Sequence, residues 1–233
     1  MAVETSACIA QAATDGTFRT GFRPELGRRG YRVVKRGFDI VFSAAVIAVA
    51  AVPSALLCLA IRLESPGNPI YSQVRMGRLD RDGTLHPFRM YKFRSMYADA
   101  DERLKDLLDQ NEVEGAMFKM RDDPRVTRIG RFIRRHSIDE FPQFVNVLLG
   151  QMSVVGPRPP LPREIPEYEG RDFRRLTVKP GLTGPWQVSG RSDLSFSDMV
   201  ELDLDYIERR GLLYDLGLIV KTVKVVFTGE GAA

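Results

Sequence analysis

With 233 residues the chain is long enough for one domain of ordinary size plus a smaller appendage. A net charge of +4 and an isoelectric point near 9.2 suit anionic partners such as phosphates, nucleotides or an anionic membrane surface. The two cysteines, Cys8 and Cys58, lie far apart, and the only histidines are His86 and His136, so neither a disulfide framework nor a zinc site is indicated.

Residues 1–18 are small and polar without periodicity and are expected to be a disordered tail, with no apolar core of a secretory signal. A basic segment follows, carrying Arg19, Arg23, Arg28, Arg29, Arg32, Lys35 and Arg36 against the single acid Glu25. Residues 41–61 then run without a charge, interrupted only by Pro53. A straight helix over that run would be about 31 Å long, the thickness of a bilayer core. A simple span is one reading. Pro53 at mid-run and basic flanks on both sides (Arg62, Arg75, Arg78, Arg81, Arg89, Lys92 and Arg94 follow) favour the other, a helix-break-helix that dips into one leaflet and returns.

The stretch Glu64-Ser65-Pro66-Gly67-Asn68-Pro69 ends this segment, so the chain divides into a tail (1–18), a basic segment with a re-entrant membrane helix (19–64) and a cytoplasmic domain (65–233). Residues 70–78 read as extended and 80–83 as a turn. Residues 88–96 alternate with period two as a half-buried strand, placing Lys92 and Arg94 on one face that suits a phosphate. Residues 98–114 look like an exposed amphipathic helix. Asp122-Asp123-Pro124-Arg125 reads as a turn with a salt bridge, although an Asp-Asp pair also suits a metal.

The central stretch is Arg134-Arg135-His136-Ser137-Ile138-Asp139-Glu140-Phe141-Pro142-Gln143. Ser137-x-x-Glu140 has the form of a capping box and would start a helix at Ile138, whereas Pro142 argues for a later start. In both cases Asp139 would lie near a positive helix end, which favours its ionised form. Phe141, Phe144, Val145, Leu148 and Leu149 follow the spacing of a buried helical face, with Asp139, Gln143 and Asn146 opposite. By itself an Asp-Glu pair among arginines is more often a capped surface helix than an active site.

Further on, prolines on both sides of Arg158 in Gly156-Pro157-Arg158-Pro159 hold its guanidinium with little freedom, an arrangement suited to bidentate phosphate binding. Residues 162–175 read as a charged surface helix. Residues 180–191 are too rich in turn formers for regular structure, and their Trp186, Gln187 and Arg191 suit stacking and hydrogen bonding to a nucleotide or sugar. Residues 196–209 and 212–227 are predicted amphipathic helices. The second carries Leu213, Leu216, Val220, Val223 and Phe227 on one face, and either packs on the core or lies at a membrane surface.

Taken together these motifs resemble the bacterial sugar transferases, the monotopic polyprenyl-phosphate phosphoglycosyl transferases. The likeness covers residues 35–231. It rests on Lys35-Arg36-x-Phe38-Asp39, the apolar run with its proline, Lys92-Phe93-Arg94-Ser95-Met96, Asp123-Pro124-Arg125-Val126-Thr127, Ser137-Ile138-Asp139-Glu140-Phe141-Pro142-Gln143, Met152-Ser153-Val154-Val155-Gly156-Pro157-Arg158-Pro159 and residues 180–191. The chain departs from the family in having Val52 rather than Ser before Pro53, and Pro185 rather than Leu before Trp186.

The resemblance implies an α+β fold, a mostly helical, membrane-associated domain with short strands. It also implies transfer of a hexose 1-phosphate from a UDP-sugar to undecaprenyl phosphate, with release of UMP, at the cytoplasmic face of a bacterial inner membrane. UDP-glucose or UDP-galactose is the favoured donor, with UDP-N-acetylhexosamines behind. Asp139 matches the nucleophile that forms a covalent phosphosugar intermediate. Glu140 matches its partner, Mg²⁺ is the expected cofactor on these two carboxylates, and Arg134, Arg158, Lys92 and Arg94 are candidates to bind the phosphates. A homodimer is compatible with this reading. Two rivals belong to other classes. One is a non-catalytic, membrane-attached basic protein that binds nucleic acid or anionic lipid. Its basic residues should spread over one face, whereas here they gather around turns and the Asp-Glu pair, so nucleic acid is not expected as a partner. The other is a metal-dependent glycosyltransferase built on Asp122-Asp123, which would release UDP.

Overall fold

A computed structural model describes residues 18–20, 28–103, 107, 120, 123–189 and 194–228. Of the tail expected at residues 1–18, residues 1–17 lie outside them, and Phe18 is corrected to a buried strand residue held by the apolar cluster around Leu79 and Leu85. The greater part of the helix expected over residues 98–114 also lies outside the described residues; of that helix the structure describes α2, Ala100–Arg103.

The longest element is α1, Arg29–Glu64, one helix with Pro53 inside it. Among the described residues it alone is long and apolar enough to cross a membrane, and 6% of its apolar stretch is buried, so it is no ordinary core helix. The expected interruption at Pro53 is not a loop: the helix continues through it. Proline removes one hydrogen bond and crowds the preceding turn, and the flanking alanines, valines and leucines are able to carry the helix across that single loss.

Both ends of α1 are tied to the same folded body. Near its start, Arg28 donates to the carbonyls of Arg210 (2.6 Å) and Glu208 (2.9 Å), and Arg36 donates to those of Val147 (2.6 Å) and Leu148 (2.8 Å). Asp39, fully enclosed, accepts from Ser153 Oγ (2.8 Å) and the Val154 amide (3.1 Å). Near its end, Ile61 packs with Phe93 and Ile133, and the Glu64 carboxylate accepts from the amides of Arg128 (2.8 Å) and Ile129 (3.1 Å).

The body is built on an antiparallel ribbon of β2, Ile70–Met76, and β4, Pro87–Phe93, in which Tyr71 faces Lys92 and Arg75 faces Phe88. Between them β3, Thr84–Leu85, pairs with β1, Phe18–Arg19. Helix α3, Arg128–Arg135, follows; Thr127 caps it by accepting from the Gly130 amide (2.8 Å). Gly130 lets α3 lie directly on the chain leaving β4, since a Cβ there would sit 1.9 Å from the Ser95 carbonyl oxygen. Helix α4, Gln143–Leu148, leads to β5, Ser153–Val155, which pairs in parallel with β6, Gly181–Thr183.

The charged stretch predicted as one helix over residues 162–175 is instead two 3₁₀ runs, Pro162–Glu167 and Gly170–Thr177. Pro166 and the positive φ of Gly170 prevent a continuous α-helix. The segment expected to lack regular structure contains β6 and a 3₁₀ turn, Trp186–Val188. The two C-terminal helices appear where expected, as α5, Phe196–Arg209, and α6, Leu212–Thr228. The main core gathers Phe88, Met90, Phe144, Val147, Val155, Val200, Tyr206 and Leu218 from β4, α4, β5, α5 and α6.

Around helix α4 the expected polarity holds in part: Phe144 is buried in the core as predicted, but the rest of the apolar face departs from it. Phe141, Val145 and Leu149 are 37%, 41% and 62% exposed, whereas Gln143 and Asn146 are buried. Asn146 explains why: its amide donates to the Arg89 carbonyl (2.7 Å) and to Gln151 Oε1 (2.7 Å), and accepts from the Tyr91 amide (3.0 Å). A fully satisfied amide thus fastens α4 to the edge of β4. The apolar stripe of α6 likewise faces outward, with Leu213, Leu216, Val220 and Val223 exposed. Together with the exposed apolar residues of α1, this is surface of the kind that meets a membrane or a partner.

Candidate active site

Asp139 lies in a 3₁₀ turn, Ile138–Glu140, entered through Ser137 in the left-handed region (φ 53°). Ser137 makes no side-chain cap, and α4 proper begins only after Pro142, so the later of the two expected starts is the observed one. Asp139 therefore has no long helix behind it, and the expected stabilisation of its charge by a positive helix end is corrected. Burial pushes its carboxyl above the ordinary carboxylate range and Glu140 adds to this, while Lys92 and Arg134 pull the other way. The carboxylate is 9% exposed, enough for one face to meet a ligand.

Lys92, near the end of β4, answers this burial. Its ammonium lies 2.7 Å from Glu140 Oε1 and 3.7 Å from Asp139 Oδ2, joining the adjacent acids through one cation. Because Tyr71 is opposite Lys92 and Arg75 opposite Phe88, Arg75 and Lys92 occupy one face of the β2–β4 ribbon. Arg75 is 4% exposed; it donates to the Pro159 carbonyl (3.1 Å) and to Gln73 Oε1 (3.0 Å). Burial and the nearby Arg158 push its basicity down to about 9, with Glu164 and Glu140 opposing. Its position next to Arg158 and Glu140 is not evident from the sequence, where it is one of many basic residues. The ribbon register is the signal that would have found it.

Arg158 is half-buried after β5, its guanidinium 5.9 Å from the centre of the Trp186 ring. Two loops make this contact by close approach of backbone. The Gly181 amide donates to the Pro157 carbonyl (2.8 Å) and the Gly156 amide to that of Thr183 (2.9 Å). A Cβ on Gly181 would lie 2.1 Å from the Gly156 nitrogen, so glycine is required where the strands meet. Trp186 Nε1 and Arg75 Nε are enclosed without a hydrogen-bond partner among the described residues, two donors held ready in one region. Gln187 follows Trp186 in the same turn, and Arg191 lies outside the described residues.

Arg94 is placed differently. Its guanidinium donates to the carbonyls of Pro66 (2.9 Å) and Ser65, and the absence of a side chain at Gly67 makes room for it. Its fork thus fastens the turn that follows α1. Asp123 forms a buried pair with Arg125 (2.6 Å), as the turn reading expected, and Asp122 lies outside the described residues. Among the described residues no group of three or more histidine, cysteine, aspartate or glutamate side chains is arranged as a metal cage.

The arrangement brings two carboxylates, a bridging ammonium and the guanidinium groups of Arg134, Arg75 and Arg158 to one region beside an indole, a set suited to a diphosphate-bearing ligand. The chain belongs to the bacterial sugar transferase family, whose model matches residues 30–229. It is 46% identical over 201 residues to the galactosyl transferase CpsE of Streptococcus agalactiae serotype III (86% of this chain, 43% of that protein). It is 42% identical over 212 residues to the undecaprenyl-phosphate galactose phosphotransferase of Salmonella typhimurium (89% and 43%). To the exopolysaccharide production protein ExoY of Rhizobium meliloti it is 36% identical over 205 residues (86% and 88%). The chain thus spans less than half the length of the first two relatives and most of the length of the third.

Proposed function

We propose that this chain transfers a hexose 1-phosphate from a UDP-sugar to undecaprenyl phosphate and releases UMP, with UDP-galactose or UDP-glucose as donor. The observation that carries the reading is the buried Asp139 carboxylate, joined by Lys92 to Glu140 and faced by arginines, in a member of this family. Asp139 Oδ attacks the phosphorus next to the sugar. The bond from that phosphorus to the UMP oxygen breaks, and UMP departs. An oxygen of the lipid phosphate then attacks the aspartyl phosphosugar, the Asp139–phosphorus bond breaks, and the carboxylate is restored.

Each group has a physical task. Lys92 favours the ionised form of Asp139 and so opposes part of the cost of its burial. Arg134, Arg158 and Arg75 compensate the diphosphate charge, and Trp186 stacks on the nucleotide or sugar. Two hard carboxylates side by side, one of them buried, fit Mg²⁺, which binds through one or two carboxylates together with substrate phosphates. Asp139 and Glu140 would hold it, and it would supply charge compensation on the diphosphate. Both ends of α1 attach to one folded body, which supports a helix that enters and leaves on the cytoplasmic face of the inner membrane rather than one that crosses it.

The test is to incubate the purified chain with undecaprenyl phosphate, Mg²⁺ and a panel of UDP-sugars. UMP release and a phosphosugar mass adduct on Asp139 are the expected results. Release of UDP, or full turnover by Asp139→Asn, would overturn the proposal.

A further inference from the structure

A cavity of about 120 Å³ lies between the first turns of α1, strand β5 and residues 177–179. A single water needs roughly 10–15 Å³ on the same measure, so a tetrahedral oxyanion has room. None of Lys92, Asp139, Glu140 or Arg158 lines it; Arg32, Lys35, Arg36, Arg78, Lys179 and Arg210 do, against the single acid Asp39.

Several of these charges are already engaged. Lys35 pairs with the buried Asp215 at 2.9 Å, and Arg36 caps the end of α4 through the Val147 and Leu148 carbonyls. Arg210 bonds the Ile207 carbonyl. Both oxygens of Asp39 are taken by Ser153 and the Val154 amide. Arg78 and Lys179 have neither a hydrogen bond nor an ion pair with any described residue. Lys179 is also crowded: its ammonium and the Arg36 guanidinium lie 3.5 and 3.4 Å from where a Cβ on Gly150 would sit, so the two cations converge there. Burial and the charges of Arg36 and Arg78 depress the basicity of Lys179 with Asp39 opposing, and burial, Arg32 and Arg81 depress that of Arg78 with Asp80 opposing. Six enclosed basic groups against one carboxylate already bonded on both oxygens leave an excess of positive charge that a further anion would offset.

We propose that this cavity is a second anion site, separate from the Asp139 centre, that binds a phosphate group through Arg78 and Lys179. A fork and a point charge side by side suit phosphate oxygens. The uncharged run of α1 begins at Val41, just past the cavity-lining residues Tyr31 to Asp39, so the site sits where the polar end of a membrane helix meets headgroups. The phosphate has two sources, a phospholipid diester or a soluble phosphate. The inference does not rest on the transfer reaction.

Calorimetric titration of the full chain in a neutral detergent, with inorganic phosphate in one arm and dihexanoyl phosphatidylglycerol in the other, tests it. Lys179→Ala and Arg78→Ala are each expected to weaken binding by about tenfold, the loss of one charge-assisted contact. Lys179→Arg and Arg78→Lys should retain it, and so should Arg158→Ala, which weakens the diphosphate clamp alone. Tighter binding of the diester identifies the lipid source, and tighter binding of inorganic phosphate the soluble one. If neither probe binds, if the alanine variants bind as well as the unaltered chain, or if the charge-preserving variants lose as much as the alanine ones, the proposal fails. Loss of UMP release alone would instead count against the transfer reading.

Discussion

Asp123 and Asp139 stand at opposite ends of α3, each in a turn, each nearly buried and each close to arginines, yet they are held in opposite ways. Asp123 receives hydrogen bonds from the Arg125 side chain and amide, which outweigh the cost of burial and hold its carboxyl below the ordinary range. Asp139 has Lys92 at 3.7 Å and a second acid beside it, and burial wins. A matched buried pair is a structural fastening. A carboxylate left under-compensated beside a second acid is instead what the proposed nucleophile requires, with further positive charge to come from its ligands.

The contrast is testable, and the largest expected effect lies at the proposed nucleophile. Asp139→Asn should reduce UMP formation by at least ~10³-fold, as expected for loss of a covalent nucleophile. It should also raise the thermal midpoint at neutral pH. A carboxyl whose folded pKa is raised costs stability once it is ionised in both states, and the amide removes that cost. A melting curve checks the second outcome, and an unchanged or lower midpoint would contradict the assigned strain.

Lys92→Met should reduce kcat/KM by about 10²-fold through loss of one preorganised charge. The acid limb of the pH profile carries the sharper information. It should lie above the ordinary aspartate value of about 4, move further up in Lys92→Met, and move down in Glu140→Gln, because Lys92 lowers and Glu140 raises the Asp139 pKa. Shifts in the reverse directions would remove Lys92 and Glu140 from these roles.

Asp123→Asn should leave the chemistry largely intact and cost about 3 kcal/mol of folding stability by stranding the buried Arg125. The sign of its pH dependence is opposite to that of Asp139. The stability contributed by a depressed carboxyl is present above its unfolded pKa and is lost as pH falls through the folded one, so denaturant titrations at pH 7 and in acid should converge for variant and unaltered chain. The smallest effect is expected from Glu64→Ala, which removes a carboxylate from the first turn of α3 and should cost about 1 kcal/mol. Because α3 joins the two aspartates, a change in the pH profile of this variant would show that the fastening end governs the reactive one.

Much of this was legible in the sequence where the cause is local. The amphipathic periodicity of residues 196–209 and 212–227 marked the two C-terminal helices, and α5 and α6 lie there. The alternation around Lys92 gave a strand, and the prolines around Arg158 gave a fixed loop. What stayed hidden depends on partners distant in the chain. Arg75 reaches the site through the β2–β4 register, and Arg94 is drawn to the Ser65 and Pro66 carbonyls. Ser137 enters the left-handed region and turns an apparent capping box into a 3₁₀ turn. The amphipathic reading of α4 holds at Phe144 and fails at Phe141, Val145 and Leu149, because the Asn146 amide, bonded to the edge of β4, turns the polar face inward.

That last point determines how the protein must be handled and redesigned. Replacing Phe141, Val145 and Leu149 by polar residues would make α4 look ordinary to any measure of hydrophobic patterning and would ease purification. The amide of Asn146, the residue such a measure would choose to make apolar, is the one the fold cannot give up.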